Sequence, residues 1–309
     1  MPMIAVANQK GGVGKTTVTI SLASALAELK RRVLVVDIDP QGNATTSLGM
    51  SRAELFASTY EVMVDGKSAK DAIFRTVQEG LDILPANHNL PGAEIVLADM
   101  PNRAWILKKS LESIKLKYDY ILIDCPPSLG ILTVNALTAC DGVLIPMQAE
   151  FLALDGLTQL LKTIRIVRES LNPSLDIFGV LFTMYDGRTR LTREVENEVR
   201  SYFDKQSVVF KTVIPRTVRL AEAPSHGIPI TMYASSSSGA ESFRILAAEV
   251  EHVTQTRVRK GVKGPDPGIV EPGAHVGDIG TDRNECGGVN VGEVDPGRTD
   301  LPESPSAQA

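Results

Sequence analysis

Short apolar runs alternate with amphipathic stretches along most of the chain, and this alternation defines the predicted elements. Continuous runs of Val, Ile and Leu predict strands that are buried on both faces of a sheet. The predicted strands are 3–8, 32–39, 120–125, 142–147, 177–184 and 208–215. A period of three to four residues predicts helices at 17–30, 102–116, 129–140, 154–170, 191–203 and 237–253. Strands that alternate with helices indicate an α/β fold, a doubly wound and mostly parallel sheet with helices on both faces, over residues 1–255.

Residues 256–309 differ in composition from the rest. The stretch is rich in Gly, Pro and Asp and has no aromatic residue, so we expect a disordered acidic tail. Residues 261–309 hold three basic and nine acidic residues, a net charge of −6, whereas the remainder holds 29 basic and 28 acidic residues, a net charge of +1. The overall charge of −5 therefore does not argue against an anionic partner for residues 1–255.

Composition excludes several classes of protein. The chain has three cysteines without paired spacing, and its first residues enter a predicted strand at once, with no signal peptide. No apolar run approaches the roughly 20 residues of a membrane span. We therefore expect a reduced, cytoplasmic protein of 309 residues without a zinc site and without a membrane anchor.

A glycine-rich loop between the first strand and the first helix carries the strongest chemical signal. NQKGGVGKTT (8–17) ends like a phosphate-binding loop, although Gln9 stands where the usual pattern has its first glycine. Backbone amides of Gly11, Gly12, Val13 and Gly14 are expected to surround phosphate oxygens. Lys15 would reach the β- and γ-phosphates, the Thr16 hydroxyl would ligate Mg²⁺, and Thr17 would bind a further phosphate.

The strand at 120–125 predicts a magnesium-binding carboxylate. Four apolar or aromatic positions lead into Asp124, which is the arrangement of a Walker B strand. An apolar strand that ends in Asp is common, so the indication depends on the phosphate loop upstream. We expect Asp124 to hold Mg²⁺ through water.

KGGVGKTT (10–17) resembles the deviant Walker A motif of the ParA/MinD family of ATPases, with Lys10 at the place of the signature lysine. In that family two subunits face each other across two ATP molecules, and the signature lysine of one subunit reaches the phosphates of the other. The resemblance implies an ATP- and Mg²⁺-dependent ATPase that forms an ATP-dependent homodimer, with Lys10 and Lys15 in catalysis.

DIDPQGN (37–43) resembles the family's switch I segment. By that match Asp39 would orient or activate the attacking water, and Asp37 would bond near the phosphate loop and the Mg²⁺ shell.

The chain is most similar to the chromosome-partitioning ParA/Soj members, through DGRT (186–189) and PRTVRLAEAPSHG (215–227). That match implies that Arg188 and Arg219 bind DNA.

The same match implies that Met184, Pro215 and Arg216 lie near the adenine. The resemblance covers about residues 3–253 and implies a partitioning ATPase. Its dimer would bind double-stranded DNA non-specifically on the nucleoid, and a ParB/Spo0J-like centromere-binding partner would stimulate an otherwise weak hydrolysis. We expect no N-terminal helix-turn-helix, because the first predicted strand begins at residue 3.

Two other classes share the phosphate loop. A MinD-type membrane-associated division-site ATPase needs a basic amphipathic C-terminal helix, whereas this chain ends in an acidic stretch. A nitrogenase-type iron protein needs paired cysteines for an iron–sulfur cluster, whereas residues 1–255 contain only Cys125 and Cys140. The partitioning function is therefore preferred, with the MinD type as the alternative.

Overall fold

The computed structural model describes residues 2–150, 153–203 and 209–260. Its centre is a seven-stranded sheet in the order β3-β4-β2-β5-β1-β6-β7. The strands are β1 (Met3–Val6), β2 (Val33–Asp37), β3 (Phe74–Arg75), β4 (Leu81–Leu84), β5 (Tyr120–Asp124), β6 (Gly142–Met147) and β7 (Asp176–Phe182). All neighbours are parallel except the edge pair of β3 and β4, so the predicted mostly parallel sheet is confirmed.

Eleven α-helices lie within the described ranges. They are α1 (Lys15–Glu28), α2 (Asn43–Ser47), α3 (Thr59–Met63), α4 (Leu90–Ala98), α5 (Ile106–Glu112), α6 (Ile131–Ala139), α7 (Ala153–Ser170), α8 (Arg190–Phe203), α9 (Val218–Glu222), α10 (Ile230–Tyr233) and α11 (Ser238–Lys260). None of these helices is long and apolar enough to cross a membrane.

The sheet is covered on both faces, as a doubly wound fold requires. Successive residues of β1 enter two different cores: Met3 packs in the core that includes α3 to α8, and Ile4 packs in the core that includes α1 and α11. This alternation follows from the two-residue period of a strand. It explains why the central strands are almost entirely apolar, with Asp37 and Asp124 only at the ends of β2 and β5.

The predicted strand at 208–215 is wrong over the described residues 209–215. Only two isolated bridges form there, Val180 with Val209 and Tyr185 with Pro215. A carboxylate of α11 takes the place of a strand partner, because Glu249 accepts hydrogen bonds from the amides of Lys211 (2.8 Å) and Thr212 (3.1 Å).

Other predicted helix boundaries differ less from those in the structure. The helix predicted at 102–116 is divided into a 3-10 turn at Arg103–Trp105, α5, and a second 3-10 turn at Lys115–Lys117. The last helix continues past the predicted end at residue 253 to Lys260, so residues 256–260, predicted as the start of the tail, are helical. Residues 261–309 of the predicted tail lie outside the described residues.

Candidate active site

The glycine-rich loop connects β1 to α1 and faces open space. Gly12 and Gly14 have φ values of 74° and 88°, in the left-handed region that favours glycine. A Cβ atom placed on Gly11, Gly12 or Gly14 would meet no atom within 4 Å. Gly14 caps α1 without any side-chain hydrogen bond, so no side chain occupies the amides at the start of the helix. The loop and the helix therefore form an open cradle for an anion, with Val13 buried behind it.

The two lysines of the loop have different partners. Lys15 is 7 % exposed, and its Nζ donates to the carbonyl of Lys10 at 3.2 Å, so it lies within its own loop. Burial lowers the pKa of Lys15, although the charges of Asp124 and Asp39 oppose that shift. Lys10 Nζ instead lies 2.5 Å from Glu150 Oε2, in the segment that follows β6. One lysine is thus directed into the loop and the other away from it.

Asp124 is fully buried at the end of β5 and is bonded to two hydroxyls of α1. Thr16 Oγ1 donates to its Oδ2 at 2.7 Å, and Thr19 Oγ1 donates to its Oδ1 at 2.9 Å. Burial, reinforced by the charge of Asp37, raises the pKa of Asp124 to about 8. Sequence reasoning missed Thr19. Its spacing of three residues from Thr16 places both hydroxyls on one face of the helix and was the available signal.

Asp37 and Asp124 are direct neighbours across β2 and β5. Asp37 was expected to bond near the phosphate loop, but its Oδ2 accepts from the Thr45 amide (2.8 Å) and hydroxyl (2.6 Å). Its Oδ1 accepts from the Asp39 amide at 3.1 Å. Burial raises the pKa of Asp37 to about 6. Asp37 therefore secures the start of the segment that carries Asp39.

Asp39 follows β2 and is 5 % exposed. Its Oδ1 accepts from the Gln41 amide at 2.9 Å, and its carbonyl accepts from the Gly42 amide at 2.8 Å. These bonds close a tight turn over residues 39–42. The turn lies at the carboxyl edge of the sheet, where parallel α/β folds bind ligands.

The residues predicted near the adenine line one cavity with the loop. The cavity measures about 230 Å³, and its lining includes Gly14, Thr17, Met184, Pro215 and Arg216. Met184 has a φ of 48°, an uncommon conformation for a residue with a side chain, and its Sδ accepts from Gln148 Nε2 at 2.8 Å. The cavity continues the cradle on its apolar side, which suits a ligand with a phosphate end and a flat ring.

The two predicted DNA-binding arginines follow paired segments. Tyr185 and Pro215 form a parallel bridge, and Arg188 and Arg219 come three and four residues later. Arg188 is paired with Asp186 at 2.6 Å, with a side chain 90 % exposed, and Arg219 is paired with Glu222 at 3.0 Å. Both guanidinium groups are accessible, and each has a carboxylate beside it.

Comparisons with known proteins show the family to which the chain belongs. The AAA_31 family model, described as an AAA domain, matches residues 1–177. The sporulation initiation inhibitor protein Soj of Bacillus subtilis is 54 % identical over 248 residues, which cover 80 % of this chain and 97 % of that protein. The chromosome partitioning protein ParA of Caulobacter vibrioides is 48 % identical over 250 residues, which cover 80 % of this chain and 93 % of that protein. The chain belongs to the ParA/Soj family of partitioning ATPases.

A solved structure supports the nucleotide chemistry of this ParA/Soj family member. The cobyrinic acid a,c-diamide synthase of Mycobacterium smegmatis with bound ADP and magnesium is 39 % identical, has a TM-score of 0.72, and is aligned over 86 % of this chain and 98 % of that chain. The fold is that of a P-loop NTPase, and as a member of the family the chain is an ATPase with ATP and Mg²⁺ as cofactors.

The side chains at this site are of the kinds that fit ATP and Mg²⁺. Among the described residues no group of three or more His, Cys, Asp or Glu side chains could hold a metal ion alone. Mg²⁺ would therefore take the Thr16 hydroxyl, phosphate oxygens and waters, with Asp124 holding a water. Two buried carboxylates with raised pKa values, Asp37 and Asp124, lie side by side here, and a nearby cation would stabilise their ionised forms.

Proposed function

We propose that this chain is an ATP-dependent DNA-partitioning switch. ATP joins two copies into a sandwich dimer, the dimer binds double-stranded DNA non-specifically on the nucleoid, and hydrolysis releases it. The different positions of the two loop lysines carry the proposal. Lys15 lies in its own loop, whereas Lys10 is paired at the rim with Glu150. A lysine outside its own phosphate cradle is available to complete a second subunit's site.

The phosphate loop binds ATP through its backbone. Amides of Gly11, Gly12, Val13 and Gly14 surround the phosphates, and Lys15 exchanges the Lys10 carbonyl for β- and γ-phosphate oxygens. Thr17 binds a further phosphate at the edge of the cavity that holds the adenine. The cavity walls at Met184, Pro215 and Arg216 accept the ring.

Hydrolysis depends on four charged residues together with Thr16. Asp39 orients the attacking water from the turn at the end of β2, and Asp37 holds that turn through the Asp39 amide. Thr16 and Asp124 would hold Mg²⁺ and its water, and the bound metal would supply positive charge that neutralises the phosphates. Lys10 of the opposite subunit stabilises charge on the transferred phosphoryl group, so efficient hydrolysis requires the dimer.

DNA is bound by phosphate-directed arginines. Arg188 and Arg219 extend from the adjacent segments at Tyr185 and Pro215, which favours one common face. Both side chains are largely exposed, at 90 % and 61 %. Contacts to phosphates carry no sequence information, so binding is non-specific and weakens steeply with salt.

A ParB/Spo0J-like centromere-binding protein is the proposed partner that stimulates hydrolysis. Such a partner would release the dimer from DNA near the cargo. The proposal follows from family membership and from a site in which the dimer must supply Lys10 before hydrolysis is fast.

Charge reversal tests the DNA face. Arg188→Glu combined with Arg219→Glu should abolish ATP-dependent DNA binding and leave ATP binding unchanged. Arg32→Glu combined with Arg75→Glu serves as the control, because it changes the total charge equally at exposed positions on β3 and just before β2. DNA binding that survives the first pair, or that is lost equally in the control pair, would contradict the assignment.

A further inference from the structure

Arg52 clamps the turn that carries Asp39. Its Nη1 donates to the Gln41 carbonyl at 2.7 Å, and its Nη2 donates to the carbonyls of Pro40 and Asn87, both at 2.8 Å. All three acceptors are main-chain oxygens. Among the described residues no carboxylate lies within ion-pairing distance of Arg52, so both Nη groups bond to the backbone, whereas the buried Nε has no hydrogen-bond partner among these residues.

The clamped carbonyls belong to the middle of the turn. The amides of Gln41 and Gly42 bond inward to Asp39, through its Oδ1 and its carbonyl. The carbonyls of Pro40 and Gln41 point outward and are held by Arg52. The turn is therefore fixed from both sides, because Arg52 donates to both outer carbonyls.

Gly42 leaves the space in which Arg52 lies. Its φ is 62°, and a Cβ atom placed on it would come within 2.7 Å of Arg52 Cδ and Cζ. The arginine side chain thus passes directly against the glycine. Arg52 provides the guanidinium donor, and Gly42, which has no Cβ, leaves the space for its side chain.

The far end of the clamp is anchored. Asn87 is 4 % exposed, and its Nδ2 donates to Glu61 Oε1 at 2.8 Å. The other Glu61 oxygen accepts from the Ser58 hydroxyl at 2.6 Å, and Ser58 is fully buried at the start of α3. Arg52 therefore joins the Asp39 turn to a buried hydrogen-bonded network between α3 and the end of β4.

We propose that Arg52 is a positioning residue for ATP hydrolysis: by gripping the Pro40 and Gln41 carbonyls, it fixes the turn that aims the Asp39 carboxylate. The proposal rests on the function proposed above for Asp39. No hydrogen bond joins Arg52 to the Asp39 carboxylate, so its effect is transmitted through the main chain. Removing the clamp leaves the phosphate loop and the adenine cavity intact.

The test separates nucleotide binding from turnover. Arg52→Ala should lower kcat for Mg²⁺-dependent ATP hydrolysis roughly tenfold, because a displaced catalytic group loses alignment with the reacting atoms. The Kd for ATP should change less than about twofold, since the groups that bind the phosphates are untouched. Arg52→Lys should recover part of the rate, because a single ammonium cannot match the planar fork that holds three carbonyls.

Arg103→Ala is the matched control. Arg103 Nη1 also donates to a main-chain carbonyl, that of Ala98, at the end of α4 rather than at the Asp39 turn. Its removal should leave kcat and Kd unchanged. Thermal unfolding of each variant checks that a loss of rate is not a loss of fold.

Combination with Asp39→Ala distinguishes this inference from the function on which it rests. If Asp39→Ala abolishes hydrolysis, adding Arg52→Ala should cause no further loss, because both changes act through one group. Hydrolysis that survives Asp39→Ala would overturn the role of Asp39 itself. Hydrolysis that is lost in Asp39→Ala but retained in Arg52→Ala, or lost equally in the Arg103→Ala control, would overturn the role of Arg52 alone.

Discussion

Lys10 Nζ lies 2.5 Å from Glu150 Oε2, although the two residues are 140 positions apart in the sequence. The pair is partly exposed, with 35 % and 57 % of the two side chains accessible. Such a pair is worth little free energy and is easily exchanged for another partner. The first lysine of the loop is therefore held within its own subunit by a contact weak enough to give way to a phosphate.

Replacing Glu150 should favour the dimer. In Glu150→Gln the ammonium of Lys10 no longer has a competing carboxylate, so we expect ATP-dependent dimerisation about two- to fivefold tighter. Sedimentation of the ATP-bound protein measures the dimer Kd. Glu169→Gln, which removes the exposed carboxylate paired with Arg165, is the control. A weaker dimer in Glu150→Gln would show that Glu150 supports the interface instead of competing with it.

Carboxylates beside the arginines proposed to bind DNA should limit DNA affinity. Asp186 and Glu222 pair with Arg188 and Arg219, so DNA phosphates must displace them. Asp186→Asn or Glu222→Gln should strengthen DNA binding about two- to fivefold at low salt. Asp119→Asn makes the same charge change just before β5, and should have little effect in the same fluorescence anisotropy titration. Equal effects in all three variants would indicate a response to net charge only.

Asp124 should lower the free energy of unfolding, although it supports hydrolysis. Its pKa is raised to about 8 by burial and by the charge of Asp37, so the folded state retains a proton that the unfolded chain loses above its usual pKa. The contribution of Asp124 to the free energy of unfolding should therefore be highest below about pH 4. It should fall as the pH rises through 8.

Asp124→Asn removes this dependence. At pH 8, without nucleotide and metal, the variant should be more stable than the natural chain by at least about 1 kcal/mol in urea unfolding, and it should lose Mg²⁺-dependent hydrolysis. Asp119→Asn should not stabilise, because a hydrogen bond from the Arg32 amide is the largest of the causes that lower the pKa of Asp119. A variant that is less stable at pH 8 would contradict the electrostatic account.

Thr19 should act on the metal site through Asp124. Thr19→Val removes the hydroxyl bond to Asp124 and keeps the volume, so we expect ATP hydrolysis to fall roughly tenfold, because the carboxylate loses one of its two orienting donors. Thr138→Val is closely matched: Thr138 is also buried in a helix and bonds the carbonyl four residues earlier, but its hydroxyl does not donate to Asp124. Equal rates in the two variants would assign Thr19 to packing only.

The central strands and the phosphate loop were predictable because their signals are local. β1 and β6 are continuous apolar runs, β2 and β5 are so up to their final aspartates, and the loop has a fixed spacing of glycines and lysines. α4 was missed because Pro91 and Gly92 look like helix breakers, although proline is accommodated in the first turn of a helix. β4 was missed because Asp82 interrupts a run of only four residues.

Distant partners could not be predicted from spacing. Arg52 bonds to main-chain carbonyls, which every residue possesses, so no side-chain pattern marks it. Glu249 satisfies the amides of residues 211 and 212 from α11, which prevents a strand that their sequence favours. Glu150 meets Lys10 only because β1 and β6 are neighbours in the sheet.

The most direct measurement is DNA binding by the Asp39→Ala protein on two unrelated duplexes, with Mg²⁺·ATP and with ADP, together with its mass in solution. Because hydrolysis is blocked, the protein should remain in the ATP state. The account predicts a dimer that binds both duplexes with ATP and neither with ADP. A dimer that forms with ATP and binds neither duplex, or that sediments with anionic liposomes instead, would contradict the partitioning switch.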